Sequence, residues 1–348
     1  MNWETSLDYY GELVEKRLAS YFDAVVKEAR DYHPFIADSY SDLREFVLRR
    51  GKRLISCSTL LTYKGYTGRV DANILNACIG IEIFRHCILV HDDLVDADCL
   101  RRGGRTLHRK FTENFDDRFG EGTAIFIGDI AYALTMHAIT NSGFPQERID
   151  RSLLLLLKGY QEINESQILD LLFSYKNVDV DEWHVMASKR APSLFKATML
   201  MGAILGEAPE NELRTLGEAA VNIGYSFDIQ DDIIDTFAQE KHYGRPPCGD
   251  VILGKKPLHV IYALNSADRK SSSTLKNLLG KKSLTQEDVE LIRTIIRESG
   301  GLETAKEISK QHAKKARALI VQTSMHEDVK DFFRNLIAYM EESLEWYN

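Results

Sequence analysis

Seven prolines spread over 348 residues leave tract after tract in which nothing interrupts a helix, because proline is the residue that removes a backbone donor and clashes with the turn before it. Those tracts carry apolar residues at three- and four-residue spacings, the period of one helix face. Leu13, Val14, Leu18, Tyr21 and Phe22 set that period first. The same reading predicts helices over 74–95, 124–140, 153–175, 183–206, 213–237, 257–264, 283–299, 302–324 and 328–347. Strand-like alternation is scarce, and no glycine-rich strand-to-helix turn announces a nucleotide fold. No repeat of fixed period and no low-complexity linker divides the chain. The expected architecture is all-α, a single-domain helical bundle over residues 1–348 whose apolar helices wrap round one another.

Composition narrows the partners. A formal net charge of -8 leaves no basic surplus to neutralise polymer phosphates, which argues against nucleic acid while allowing a local basic pocket. Cys57, Cys78, Cys87, Cys99 and Cys248 are odd in number and form no CxxC pair, which fits a reduced, cytoplasmic setting. The opening MNWETSLDYYGELVEKR is too charged for a signal peptide. The longest pure aliphatic run, Leu153 to Leu157, falls far short of the roughly 20 apolar residues of a membrane span, so no transmembrane segment is expected.

One run, ILVHDDLVDADCLRRGG from Ile88 to Gly104, crowds Asp92, Asp93, Asp96 and Asp98 together and follows them with Arg101 and Arg102. Residues four apart share a helix face, so Asp92 and Asp96 project together with Asp93 beside them. FDIQDDIID repeats the pattern: Asp231 and Asp235 share a face, with Asp232 adjacent. Apolar residues frame both runs, unlike an ordinary solvated face. Carboxylates without His or Cys suit Mg²⁺, with Mn²⁺ as a substitute, and Mg²⁺ prefers few protein ligands plus substrate phosphates. Two facing clusters would thus hold a small group of Mg²⁺ ions round a diphosphate. Arg101 and Arg102 add guanidinium forks that match phosphate oxygens. The competing reading is intrahelical Asp–Arg pairing, worth only roughly tenths of a kcal/mol per exposed pair.

At these residues the sequence resembles the trans-prenyltransferases, the isoprenyl diphosphate synthases. HDDLVDADCLRRGG (His91 to Gly104) and DDIID (Asp231 to Asp235) are accompanied by GKR at Gly51 to Arg53, Gly128-Asp129, Lys189, Phe227 and GDVILGKK at Gly249 to Lys256. The order and spacing match from about residue 15 to residue 265. The resemblance implies an isoprenoid synthase bundle with a central active-site cavity. It also implies a reaction, in which an allylic diphosphate ionises and the double bond of isopentenyl diphosphate attacks its cation. By the same resemblance Asp92, Asp96 and Asp231 ligate Mg²⁺, with Asp93, Asp232 and Asp235 in support. Arg101, Lys189 and Lys255 hold the allylic diphosphate, and Lys52 and Arg102 hold isopentenyl diphosphate. A homodimer is also implied. The loop from Gln239 to Pro257, with three prolines and three glycines, is a candidate cover that keeps water from the cation.

Several positions depart from the family pattern. GKRLIS places Ile55 where an arginine is usual, and Arg85 stands where a histidine is usual six residues before HDD. We read these two changes as a trade, with Arg85 supplying the cation that Ile55 cannot. Arg105 replaces the usual proline after the Arg pair, Arg190 a threonine, and Asp228 a glutamine. Product length is assigned to residues one turn before Asp92. Cys87 and Ile88 are smaller than the aromatic rings of short-product members, with Tyr132 or Met136 as further stops, which favours a product of about geranylgeranyl length, with farnesyl or geranylfarnesyl next. The alternatives are a non-catalytic or regulatory subunit of a heteromeric enzyme, for which the altered positions speak, and a class I terpene cyclase. The cyclase would have no use for the Lys52 and Arg102 pair.

Overall fold

Capping carboxylates and apolar stripes together account for where the helices begin and run. The computed structural model of the chain describes residues 3–49, 51–239 and 246–344. In order come α1 (Trp3–Tyr32), α2 (Pro34–Leu48), α3 (Leu54–Thr67) and α4 (Ala72–Val95), then a hairpin of β1 (Leu100–Arg101) and β2 (Gly104–Arg105). They are followed by α5 (Leu107–Asn114), α6 (Asp117–Thr140), α7 (Gln146–Ser174), α8 (Val180–Ala187), α9 (Ala191–Leu205) and α10 (Glu210–Phe237). Helices Gly249–Ile252, Leu258–Ser266, Arg269–Leu278, Gln286–Glu298, Gly301–Val321 and Glu327–Ser343 complete the chain. Asp71, Asp116 and Asp179 each accept a first-turn N–H at the starts of α4, α6 and α8, as N-caps should. The all-α expectation holds.

The helix expected over 183–206 is in fact two. α8 stops at Ala187 and α9 starts at Ala191, because Pro192 has no N–H to donate and is tolerated only in a first turn. Residues 188–190 therefore form a turn. Helix α3 escaped the periodicity reading for a different reason. It is buried from Ile55 through Tyr63, so no single apolar face exists to produce a period.

Two compact units divide the chain. The first comprises Met1–Leu154, Leu200–Ala208 and Met325–Val329. Within it α4 packs along α6, and two glycines make the close approach possible. A Cβ on Gly80 would lie 2.5 Å from Ile139 Cγ1, and one on Gly128 would lie 2.1 Å from His91 Nε2. The second unit comprises Leu155–Met199, Pro209–Ser324 and Lys330–Asn348. There α10 packs along Gly301–Val321, over a core that includes Trp183, Ile229, Ile233, Phe237 and Leu258. By length and composition alone, α4 and α6 are apolar enough to cross a membrane. The apolar stretch of α4 is 78% buried and that of α6 only 39%.

Candidate active site

In the first unit, α4 carries an apolar run up to its C-terminus and delivers Asp92 and Asp93 in its last turn. Asp96 is the C-cap, donating its N–H to the Asp92 carbonyl at 2.9 Å. Asp92 and Asp96 are half-buried, whereas Asp93 is 1% exposed. Arg101 is the hub. Its Nε donates to Asp93 Oδ1, and its Nη2 lies 3.3 Å from Asp92 Oδ2 and 3.5 Å from Asp98 Oδ2. Burial pushes the Asp93 carboxyl up to about 7, against the pull of Arg101 and with the help of Asp92 and Asp98. The crowding of aspartates is thus relieved by one guanidinium folded back upon them.

The hairpin sets the two arginines apart. Arg102 and Gly103 both have positive φ, 50° and 77°, as the two central residues of a type I′ turn require. Arg101 is consequently held at the aspartates while Arg102 goes elsewhere. The Arg102 guanidinium lies against Gly51, where a Cβ would be 2.8 Å from Cζ, and its Nη1 is 3.2 Å from His86 Nε2. Desolvation of this group, with Arg53, Arg85 and Arg101 near it and Glu82 opposing them, lowers its pKa to about 10 although the residue as a whole is exposed. It therefore stays charged at neutral pH. Lys52 is exposed beside Gly51, and Arg85 is half-buried. Ile55 is 6% exposed inside α3, where it serves as core rather than as a ligand. Cys87 is fully buried and Ile88 nearly so. Tyr132 of α6 lies near Cys87, and burial, with Cys87 adding to it, pushes the Tyr132 hydroxyl pKa up.

In the second unit the acidic motif splits by environment. Asp231 is exposed, whereas Asp232 and Asp235 are buried. Asp235 Oδ2 accepts the Asp250 N–H at 3.1 Å. Arg190, in the turn created by Pro192, donates from Nε to both oxygens of Asp228 at 2.9 Å and from Nη2 to both oxygens of Asp232 at 3.2 and 3.1 Å. Its Nη1 is 4.0 Å from Asp170, which also meets Lys255 Nζ at 3.3 Å. Burial drives the Asp228 and Asp232 carboxyls upward and Arg190 draws them back. An arginine keeps its proton inside a protein, so one permanent positive charge stands among three carboxyl groups. Lys189 is half-exposed and pairs with Glu165. Residues 240–245 of the expected cover loop lie outside the described residues.

Sequence reasoning passed over Arg190, Asp170, Glu82 and His86 as site residues. The signal for Glu82 and His86 was present, since together with Arg85 they interrupt an otherwise apolar run on α4. The signal for Arg190 and Asp228 lay in their being two departures at once, which the structure shows to be partners. Among the described residues no three His, Cys, Asp or Glu side chains converge as a complete metal cage. The oxygen-only donors nonetheless fit a hard divalent cation that takes few protein ligands. Asp93 Oδ2, buried and without a hydrogen-bond partner among the described residues, is an acceptor that such an ion could satisfy.

Comparison with known proteins gives a concordant picture. The family profile described as Polyprenyl synthetase matches residues 39–296. A short chain isoprenyl diphosphate synthase of Methanocaldococcus jannaschii is 30% identical over 260 residues, covering 75% of this chain and 76% of its own. A geranylfarnesyl diphosphate synthase of Aeropyrum pernix is 29% identical over 301 residues, covering 85% and 91%. In fold, the chain is similar to a geranylgeranyl pyrophosphate synthase of Corynebacterium glutamicum, crystallised with isoprenyl diphosphate and magnesium. That match has a TM-score of 0.91 at 23% identity and covers 99% of this chain and 100% of the other.

Proposed function

The chain belongs to the polyprenyl synthetase family, and we propose that it joins isopentenyl diphosphate head-to-tail to an allylic diphosphate, making a prenyl diphosphate of about geranylgeranyl length. It is a prenyltransferase of the short-chain type, as its relatives are. The family match runs through both compact units, which supports treating residues 1–348 as one synthase domain. The observation that carries the reading is the Arg101-bridged aspartate motif at the end of a buried apolar helix, with Arg102 turned away from it by the hairpin.

The chain's residues divide the work. Asp92, Asp96 and Asp231 are the proposed Mg²⁺ ligands, supported by Asp93, Asp232 and Asp235, and Mn²⁺ is the expected substitute. Bound magnesium supplies positive charge to the diphosphate as the allylic C–O bond breaks. Arg101, Lys189 and Lys255 hold the allylic diphosphate, and Arg190 keeps Asp228 and Asp232 turned inward. Lys52, Arg85 and Arg102 hold isopentenyl diphosphate with its double bond towards the allylic carbon. The new carbon–carbon bond leaves a tertiary cation, which yields a proton to the departing diphosphate and becomes the product alkene. Buried Cys87 and Ile88 exclude water from the hydrocarbon side.

A homodimer is the assembly we propose, since α6 leaves Ile125 and Phe126 exposed. A cytoplasmic location agrees with five free cysteines. The deciding experiment incubates the purified chain alone with Mg²⁺, isopentenyl diphosphate and each short allylic primer, and reads product length by mass spectrometry. A twenty-carbon product is expected. No condensation until a second subunit is added would favour the regulatory-subunit alternative instead.

A further inference from the structure

The geometry points to His86 as a positioning residue for Arg102, holding the guanidinium where the homoallylic diphosphate is bound. This inference rests on the proposed function and adds a residue to it.

Arg53 is almost wholly buried, with its Nη1 2.9 Å from Glu82 Oε2 and 2.7 Å from the Val47 carbonyl, and its Nε 2.9 Å from Glu15. Glu82 Oε1 accepts from Ser56 at 2.6 Å. Arg53 and Ser56 thus anchor α4 at Glu82, one turn before His86. His86 Nδ1 lies 2.7 Å from the Glu82 carbonyl oxygen. A carbonyl oxygen only accepts, so Nδ1 carries the proton. Burial keeps the ring neutral, lowering its pKa to about 3. Nε2 is left with a lone pair, and the group facing it is Arg102 Nη1, which can only donate. The tautomer and the contact determine each other.

The ring itself has little freedom. Phe46 meets it edge-on at 5.9 Å, and the side chain is 1% exposed. On the other side Arg102 starts from a left-handed backbone conformation and passes over Gly51. Turn, glycine and imidazole together restrict a side chain that would otherwise sample many rotamers before meeting an anion. A residue at 86 that cannot accept a hydrogen bond leaves Arg102 aimed by the turn and its passage over Gly51.

The test compares His86→Leu and His86→Gln with the wild-type chain. Three readouts are used: calorimetric affinity for isopentenyl diphosphate alone, KM and kcat for each substrate, and Tm. H86L is expected to weaken isopentenyl diphosphate binding and raise its KM roughly tenfold, the equivalent of one lost hydrogen bond to a charged group. Its kcat and allylic KM should stay within about twofold. H86Q should recover most of the affinity, because its amide oxygen accepts from Arg102 while its NH₂ donates to the Glu82 carbonyl. In an Arg102→Leu background neither change at 86 should matter further, an outcome that a purely structural role would not produce. If H86L does not fold, His86→Asn, polar but shorter, takes its place and must raise the KM in the same way. A wild-type affinity in H86L or H86N, or equal losses for both substrates along with Tm, overturns the positioning role and leaves the proposed function standing. A wild-type chain that binds no isopentenyl diphosphate overturns both.

Discussion

Arg190 offers the sharpest residue-scale test. Removing one partner of a buried ion pair costs about 3–5 kcal/mol, because the remaining charges stay buried without compensation. Arg190→Thr should therefore destabilise the chain by about that amount, since Asp228 and Asp232 lose their shared donor. Arg190→Thr with Asp228→Gln should recover a large part, because the double change removes the cation and one anion together. Denaturant melts of the two single variants and the double give the coupling, and strict additivity would refute the pairing. Arg85 is the second test. Ile55 is core and Arg85 lies near enough to Arg102 to lower its pKa, which supports the trade between these positions. Arg85→Ala should raise the KM for isopentenyl diphosphate about tenfold with a smaller effect on kcat, and a kinetically silent variant would end that idea.

At the scale of elements, the seam between α4 and α6 governs both the aspartates and the hydrocarbon side. Gly128 lets α6 pass His91, whose Nε2 is 3.2 Å from the Ile125 carbonyl, so the residue that precedes the first aspartate pair is seated by the neighbouring helix. Cys87 is fully buried on the same helix, next to Tyr132. Cys87→Phe adds a ring to a packed seam, at a cost of about 1–3 kcal/mol. It should shorten the product by one or more five-carbon units. Chromatography of the products decides this, and an unchanged distribution removes Cys87 from length control. The turn between α8 and α9 teaches a related lesson. Apolar periodicity continues across 183–206, yet Pro192 ends one helix and starts another, and Arg190 owes its place among the carboxylates to that break.

Over the whole molecule, burial of neutral histidines gives a pH signature. His259 is fully buried, its Nε2 2.8 Å from the Thr236 hydroxyl, and burial lowers its pKa from 6.5 to about 3. Between those values the unfolded chain binds a proton that the folded chain does not, so this group subtracts stability as pH falls from about 6.5 towards 3. The raised carboxyls Asp93 and Asp228 act in the opposite sense, so the difference between wild type and His259→Gln isolates the effect. That difference should change by up to about 1.4 kcal/mol per pH unit below pH 6, and a pH-independent difference would refute it. Assembly is tested by Phe126→Glu, which places a charge on the exposed apolar side of α6 and should convert a dimer to a monomer in light scattering. A wild-type monomer would dispose of the dimer. The sequence by itself determined the all-α class and the two aspartate motifs, because helical period and four-residue spacing are local properties of a chain. Tertiary structure alone decided that Asp231 faces solvent while Asp232 and Asp235 are buried, that Arg101 and Arg102 part company at the hairpin, and that Arg190 belongs to Asp228. Burial and the pairing of distant charges depend on which helices meet, and no local spacing records that.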